Sequence, residues 1–451
     1  WAAGISILGT RFSAISFMAY PAKTFATNWT YFMNQFGYIL TAHFVVKYVI
    51  SFFVKLNITT AYEYLDKRFG PVIRTIGSVK FVLFDLFRMG ALVLLPSMVL
   101  SVITGINIYF CILIIGVIST LYTYLGGIEA VIWTDVIQMG IMVSGTALAI
   151  GLALWGSNGS IADIAQSASF QGKTHMLDFS LDFTTMTFWV FLLALPGAPN
   201  ESVSAQYVVQ RFISTKDFQN AAQSMYINSF VGPAVLLVFF LMGTSIFMFY
   251  QSNPAELNAA MRQPDEIMAW FIVQQLPIGI SGLMIAAIFA ATMSSLDSAL
   301  SSTSTVFVTD IYKPLRKSLS DPSALRFAKS LTILLGAIGT ISALILAAVE
   351  VRSLLDYFLQ IMFLLGGGLA GIFYLGIFTT RSNTPGTVIG FIVSGSVLLA
   401  CKIFTDLSIF AYNGIGVVVC IVVGYLASFA FTAPTRPLNG LTVHTLETPR
   451  S

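Results

Sequence analysis

Four charged or hydroxyl-rich features lie within stretches that are apolar and long enough to cross a bilayer. They are Arg11, Arg88, Asp135 and the run Ser294–Ser298, which reads SSLDS. Placing an ionisable side chain at that depth is costly, so such residues usually line a path for ions or solutes. These features therefore predict cation-coupled transport of an anionic solute.

A stripe of oxygen-bearing side chains follows one face of a predicted helix. Ser294, Asp297, Ser298 and Ser301 recur at i, i+3, i+4 and i+7, and this spacing is that of a single helix face. A hard cation such as Na⁺ needs several oxygen ligands. A serine stripe can also simply join helices, because small residues let backbones approach closely. Asp297 favours the cation-site interpretation, since a carboxylate inside the membrane needs a counter-ion.

Asp135 lies near the start of another predicted helix, within Ile132–Gln138 (IWTDVIQ). A lysine at the membrane interface could neutralise this carboxylate, which would make its role structural. A bound cation or a proton is the alternative partner. The sequence leaves both interpretations open.

Two arginines have competing roles. Arg88 lies midway along its predicted helix, one turn from Asp85, so an internal pair between the two is one interpretation. The other is a bidentate clamp for a substrate carboxylate, which suits the planar guanidinium group. Arg11 either pairs with Asp85, which would free Arg88, or contacts the substrate itself. Polar groups that could bind polyol or amide groups of a substrate are Ser13, Ser16, Tyr31 and Gln35.

The composition excludes a soluble enzyme. Of 451 residues, 56% are hydrophobic and only 10% are charged, and the mean hydropathy is +0.83, whereas globular chains carry about 25% charge. The three cysteines lie in apolar runs without metal-binding spacing and are expected to be packed thiols. No P-loop motif is present, so we expect no use of ATP. Nucleic acid is not expected as a partner either. The lipid bilayer is the expected surrounding.

At about 20 apolar residues per span, the sequence predicts twelve membrane helices. Their approximate bounds are 3–22, 29–54, 72–103, 107–124, 128–155, 184–209, 224–250, 279–308, 326–350, 353–379, 385–404 and 409–432. The loops on one side and the C-terminal tail carry 14 basic residues, among them Arg68 in 55–74 and Arg211 in 210–223, and the loops on the other side carry five. The positive-inside rule makes the first set cytoplasmic. Trp1 and the C-terminal tail are then cytoplasmic, and we expect a further helix upstream of Trp1.

Two of these spans are interrupted by residues that disfavour a helix. The first contains Gly9, Arg11 and several hydroxyl residues within 7–16, and the sixth contains Pro196 and Pro199 within 195–202. The two breaks are five helices apart, so the interrupted spans run in opposite directions. Broken helices at matching positions of inverted repeats predict a binding site at the midplane. Ordinary proline or glycine kinks are the alternative.

Three motifs resemble the sodium/solute symporter family along nearly the whole chain. They are 126–135 (GGIEAVIWTD), 290–295 (AATMSS) and 310–312 (DIY). The resemblance implies an all-α polytopic membrane protein with an inverted five-plus-five helix repeat, LeuT-like, whose first and sixth helices are discontinuous. The repeats would be 1–155 and 184–379, followed by two peripheral helices within 385–432, in one transport domain.

The family resemblance also implies two kinds of cation site. A general Na⁺ site would use carbonyls of Gly9, Phe12 and Ala291 with the hydroxyls of Ser294 and Ser295. A second Na⁺ site, found in some members, would use Asp135, Ser294, Asp297 and Ser298. Asp297 stands where the sialic acid symporters have serine.

The bacterial sodium/sialic acid symporters are the branch that the chain resembles most. Substrate-contact positions of this branch match Ser13, Ser16, Tyr31, Gln35 and Arg88, with Arg88 at the carboxylate-binding position. Arg11 replaces a small hydroxyl residue, and the sixth helix with its two prolines differs from that branch.

The expected function is sodium-coupled import of a small organic anion by alternating access, with sialic acid as the leading candidate. The alternative is symport of a neutral sugar or another small solute. We expect no enzymatic activity, because catalytic clusters of His, Asp or Cys are absent. The expected location is a cell membrane, the inner membrane of a bacterium, crossed many times.

Overall fold

A computed structural model describes residues 2–56, 58–125, 128–157, 165–215, 217–257, 266–316, 321–349, 354–434 and 436–445. All regular elements in these ranges are helical. The first eight α-helices are α1 (Ala2–Arg11), α2 (Ala14–Ala26), α3 (Asn34–Val45), α4 (Ser51–Lys55), α5 (Ala61–Phe69), α6 (Pro71–Thr104), α7 (Ile108–Leu125) and α8 (Ile128–Trp155). Trp1 and Gly126–Gly127, which belong to the predictions above, lie outside the described residues.

Twelve more α-helices follow within the described ranges. The central ones are α9 (Ala168–Lys173), α10 (Phe188–Ala194), α11 (Asn200–Ser204), α12 (Gln206–Ile213), α13 (Phe218–Ser252) and α14 (Glu266–Gln274). The last six are α15 (Ile278–Val306), α16 (Lys313–Leu315), α17 (Asp321–Ala348), α18 (Leu354–Phe378), α19 (Thr384–Phe404) and α20 (Ile409–Ser428). Short π-helical segments, Val46–Ile50 and Phe307–Tyr312, join α3 to α4 and α15 to α16.

Each of the twelve predicted spans has a helical counterpart. In the described ranges, eight helices are long and apolar enough to cross a membrane, and the bent pair α1–α2 makes a ninth candidate. Shorter apolar helices, Ile108–Leu121 and Gly366–Phe378, occupy the fourth and tenth predicted spans. The sixth predicted span is divided into several short pieces.

The predicted break in the first span is confirmed. Helix α1 ends at Arg11 and α2 begins at Ala14, with an angle of 56° between Ala2–Arg11 and Ser16–Ala26. Ser16 Oγ donates a hydrogen bond of 3.0 Å to the Arg11 carbonyl, which satisfies one of the acceptors left free at the end of α1.

The break in the sixth span is longer than the sequence predicted. The helix does not begin at 184 but at Phe188, where the side chain of Thr187 caps it. A 3₁₀ segment, Leu195–Gly197, follows, since Pro196 has no N–H to donate. The chain then becomes extended at Ala205 (φ −88°, ψ 115°), between α11 and α12.

Two arginines of the predicted basic loops are buried in short helices. Arg211 lies in α12 and is 3% exposed, and Arg68 lies in α5 and is 1% exposed. The Arg68 guanidinium donates to the carbonyls of Gly376, Thr379 and Ser382 at the end of α18. Such a cation satisfies the free carbonyls of a helix C-terminus.

The first break packs directly against α13. The rings of Phe12 and Phe17 both contact Phe239 edge-on, with centroids 5.8 and 5.6 Å apart. Helix α13 begins at Phe218, not at 224, because the Asp217 side chain caps its N-terminus. The long α13 therefore supports the broken span from one side.

Candidate functional site

A cavity at the first break brings together most of the predicted substrate-binding residues. It encloses about 720 Å³ of space, including its open mouth. Its lining includes Arg11, Ser13, Ser16, Gln35 and Arg88. We call it the central cavity.

Tyr31 is the predicted substrate-binding residue that does not line this cavity. Its ring packs edge-on against Phe410, with centroids 4.8 Å apart. The Lys23 ammonium lies 4.8 Å from the same ring. The structure therefore places Tyr31 in a packing contact rather than at the cavity.

Arg88 combines the two roles that the sequence left open. Its Nε lies 2.8 Å from Asp85 Oδ1, so the internal pair exists. Thr303 Oγ1 also donates to Asp85, at 2.7 Å. Arg88 nevertheless lines the central cavity, and its Nη2 is buried without a hydrogen-bond partner among the described residues. Because a buried charged donor is costly to leave unpaired, this nitrogen is available to an anionic ligand.

Gln35 provides an acceptor in the same cavity. The side chain is 5% exposed, and its Oε1 has no hydrogen-bond partner within the described part of the chain. The central cavity thus contains a cationic donor and an amide acceptor that no described residue pairs with. A solute that carries a carboxylate together with a hydroxyl or N–H group would match both.

Arg11 does not pair with Asp85, which corrects one of its two predicted roles. Its Nε lies 3.0 Å from Glu201 Oε2, and its Nη1 donates to Asn228 Oδ1 at 3.1 Å. The guanidinium also stacks over the Tyr38 ring, 4.0 Å from the centroid. Arg11 still lines the central cavity, but with its charge neutralised by α11.

Glu201 and Tyr207 are cavity residues that sequence reasoning missed. The Tyr207 hydroxyl donates to Glu201 Oε1 at 2.7 Å, and the Tyr207 ring lies 4.0 Å from the Arg88 guanidinium carbon. Together they connect Arg11 to Arg88 through the sixth span. Glu201 stood within the predicted break, so its position was visible in the sequence although its partners were not.

Asp135 pairs with Arg211 instead of an interfacial lysine. Arg211 Nη2 lies 3.4 Å from Asp135 Oδ2, and the Ser6 hydroxyl donates to the same oxygen at 2.6 Å. Ser294 donates to Asp135 Oδ1, and Arg211 Nη2 donates to Ser298 at 2.8 Å. Asp135, Ser294 and Ser298 of the predicted second Na⁺ site are therefore brought together around Arg211.

Asp297, the fourth member of that predicted site, faces a different space. Its carboxylate accepts a hydrogen bond from Thr123. It lines a second cavity of about 870 Å³ whose wall also contains Arg211, Ser298 and Lys329. Because Arg211 and Ser298 belong to both groups, this cavity reaches the Asp135 network.

One member of the predicted general Na⁺ site has an oxygen that could contact a hard cation. Ser295 is fully buried, and its hydroxyl has no hydrogen-bond partner in the described ranges. Gly9 of α1 lies against Asp135, because a Cβ atom added at Gly9 would lie 3.1 Å from the Asp135 Cβ. Ser294 of α15 donates to the same carboxylate, so α1 and α15 both approach Asp135. The described residues hold no group of three His, Cys, Asp or Glu side chains for a metal ion. A Na⁺ ion would instead be bound by hydroxyls and by backbone carbonyls. Phe12 and Ala291, whose carbonyls belong to the predicted site, are both buried.

A comparison with known protein families shows which family contains a chain with these sites. A family model described as "Sodium:solute symporter family" matches residues 1–394. The chain belongs to this family. It is therefore a multi-pass, sodium-coupled solute symporter and not an enzyme, as the sequence predicted.

Two curated relatives of this symporter cover almost all of the chain. The sodium/sialic acid symporter NanT of Aliivibrio fischeri is 35% identical over 434 residues, covering 96% of this chain and 86% of NanT. The sodium/sialic acid symporter SiaT of Proteus mirabilis is 36% identical over 446 residues, covering 97% of this chain and 89% of SiaT.

Solved structures agree with the predicted fold class. A Na⁺-coupled sialic acid symporter, in a substrate-bound outward-open state, has a TM-score of 0.88 at 34% identity and covers 97% of this chain and 91% of that chain. Mhp1, a nucleobase-cation-symport-1 family transporter in a closed conformation, has a TM-score of 0.62 at 13% identity and covers 95% of this chain and 92% of that chain. The second likeness shows the fold alone. The LeuT-like architecture is confirmed.

Proposed function

We propose that this symporter imports sialic acid together with Na⁺ by alternating access. The observation that carries the proposal is Arg88, whose buried Nη2 has no hydrogen-bond partner among the described residues while the side chain lines the central cavity. A carboxylate can accept a hydrogen bond from this nitrogen. The two relatives named for sialic acid, each covering more than nine-tenths of this chain, support the same substrate.

The remaining groups of a sugar acid would meet the polar residues of the break. Gln35 offers an unpaired acceptor, and the hydroxyls of Ser13 and Ser16 line the same cavity. Binding then requires both a charged donor and neutral polar partners, which suits a carboxylate-bearing sugar better than a simple inorganic anion.

Sodium would bind where the broken first helix meets α15. We assign the general site to carbonyls of Gly9, Phe12 and Ala291 with the hydroxyls of Ser294 and Ser295. Helix α1 contributes Arg11 to the central cavity and Gly9 to the cation region. Ion binding would therefore fix the conformation of the same break that binds the solute, which couples the two.

A second Na⁺ ion would have to share Asp135 with Arg211. The guanidinium is already the nearest counter-ion of this carboxylate. Cation binding at Asp135, Ser294 and Ser298 would therefore require Arg211 to withdraw. The cavity beside Asp297 provides a polar route to this network, which supports cation passage on that side.

A neutral solute is the second candidate. Asp85 lies 2.8 Å from Arg88 and already balances its charge, so an uncharged sugar would leave no net charge unpaired.

The positive-inside pattern supports a cytoplasmic position for the basic loops and the C-terminal tail. We place the protein in a bacterial inner membrane on the strength of its bacterial relatives.

The test is uptake into proteoliposomes. Labelled sialic acid, lactate and glucose are offered with an inward Na⁺ gradient or with K⁺ in its place. We expect sialic acid alone to accumulate, and only with Na⁺. The Ser294→Ala/Ser295→Ala double variant serves as the sodium-insensitive control. Accumulation of glucose in preference to sialic acid would establish the neutral-solute alternative.

A further inference from the structure

Lys80 is a cationic side chain within a membrane span that the sites above do not use. It lies in α6, and its Nζ donates to the Gly366 carbonyl at 3.3 Å. No carboxylate in the described part of the chain lies within the 4.0 Å of an ion pair with Lys80. An ammonium inside a membrane protein usually has a counter-ion or serves a solute path. Within the described residues, Lys80 therefore has no counter-ion at ion-pair distance.

Lys80 lines a cavity that is separate from the central cavity. We call it the lower cavity, and it encloses about 370 Å³ including its mouth. Its polar lining also includes Asn200, Glu201 and Ser204 of α11, and the Glu201 carboxylate is already paired with Arg11. Lys80, Asn200 and Ser204 supply an ammonium, an amide and a hydroxyl, which are similar in kind to the groups around Arg88.

The two cavities share a wall. Glu201, Tyr207 and Met362 line both of them. The Tyr207 ring covers the Arg88 guanidinium at 4.0 Å, and its hydroxyl is held by Glu201. The extended residue Ala205 lies just before Tyr207. A change at this point of the sixth span would move Tyr207 and join the cavities.

The position of Lys80 shows on which side of Arg88 the lower cavity lies. Arg88 is eight residues further along α6, which corresponds to about 12 Å along the helix axis. Helix α6 begins after the basic segment that contains Lys55 and Lys67, which the charge pattern places in the cytoplasm. The lower cavity therefore lies on the cytoplasmic side of Arg88.

We propose that Lys80 forms a second carboxylate-binding site, which receives the anionic substrate from Arg88 on its way to the cytoplasm. Tyr207, held by Glu201, separates the two sites until the sixth span moves. The inference rests on the proposed import of a carboxylate. It adds to that function an intermediate binding site on the release path.

The test compares initial uptake rates of Lys80→Met and Lys80→Arg with those of the wild type. The solute is the carboxylate that the wild type accumulates faster, chosen from labelled sialic acid and lactate, and labelled glucose is offered beside them as an uncharged solute. We expect Lys80→Met to lower the maximal rate about tenfold, while Lys80→Arg keeps most of it. Binding of the anion at saturating Na⁺ should change less than twofold, because the Arg88 site remains intact.

Lys47→Met is the matched control, since Lys47 is an exposed lysine within the second span that lines neither cavity. It should leave the rate unchanged. A normal maximal rate for Lys80→Met would overturn the Lys80 proposal and leave the proposed function standing. Accumulation of only uncharged solutes by the wild type would overturn both. A low rate accompanied by a lost melting transition in both Lys80 variants would assign Lys80 to packing and also overturn the proposal.

Discussion

Arg11 and Glu201 form an ion pair that joins the two discontinuous helices, with 3.0 Å between Arg11 Nε and Glu201 Oε2. Arg11 ends α1 and Glu201 lies in the first turn of α11. Each side chain is 10% exposed, so both charges are largely removed from water. The pair fixes the relative position of the two breaks that border the central cavity.

Removing one partner of this pair should destabilise the protein. Glu201→Gln leaves the Arg11 charge buried without its carboxylate, and breaking a buried pair costs on the order of 3 kcal/mol. We expect a clearly lower melting temperature in detergent. The double variant Arg11→Gln/Glu201→Gln should recover part of the loss, because neither charge is then buried. A double variant that melts below both single variants would contradict the pairing.

Ser295 allows a test of the general Na⁺ site without loss of a protein contact. Its buried hydroxyl makes no hydrogen bond to the described residues, so Ser295→Ala should leave the melting temperature nearly unchanged. The Na⁺ concentration for half-maximal uptake should rise about tenfold, as expected for the loss of one ligand worth about 1.4 kcal/mol. Sodium titration of uptake measures this effect.

Ser97→Ala is the control for Ser295. Ser97 is also buried, but its hydroxyl only donates to the Val93 carbonyl within α6. This variant should keep the wild-type sodium dependence. An unaltered sodium titration for Ser295→Ala would remove Ser295 from the assigned site.

Asp135 should affect sodium dependence as well as folding. Asp135→Asn weakens the pair with Arg211 and removes a charge from the cation region. We expect a lower Hill coefficient for Na⁺ or weaker Na⁺ affinity, with a smaller effect on substrate binding at saturating Na⁺. Ser6→Ala keeps the carboxylate and removes one hydrogen bond to it, so its effect on Na⁺ should be smaller. If Asp135→Asn lowers only the melting temperature, Asp135 is a structural partner of Arg211.

The sequence predicted the features that depend on local composition. Both breaks followed from glycine, proline and polar residues within apolar spans, and Arg88 followed from its charge in mid-helix. Five of the six predicted substrate-binding residues line the central cavity, with Tyr31 as the exception, whereas Glu201 and Tyr207 were missed.

Pairs between distant helices could not be predicted in this way. Arg211 lies next to a polar loop and was counted with it, yet the helix continues to Ile213 and turns the side chain towards Asp135. Glu201 and Arg11 are 190 positions apart in the sequence, and no local pattern connects them. Such pairs depend on how the helices pack, which single-sequence periodicity does not report.

The carboxylate clamp at Arg88 is the central claim, and paired binding isotherms test it most directly. Sialic acid and its methyl ester, which lacks the negative charge, are titrated into wild type and Arg88→Lys at saturating Na⁺. Lysine keeps the charge but loses the planar fork. We predict that the wild type prefers the acid by about tenfold or more, as expected for a charged hydrogen bond of 1.5–3 kcal/mol, and that Arg88→Lys loses most of this preference. Equal binding of acid and ester by the wild type, or an undiminished preference in Arg88→Lys, would contradict the account.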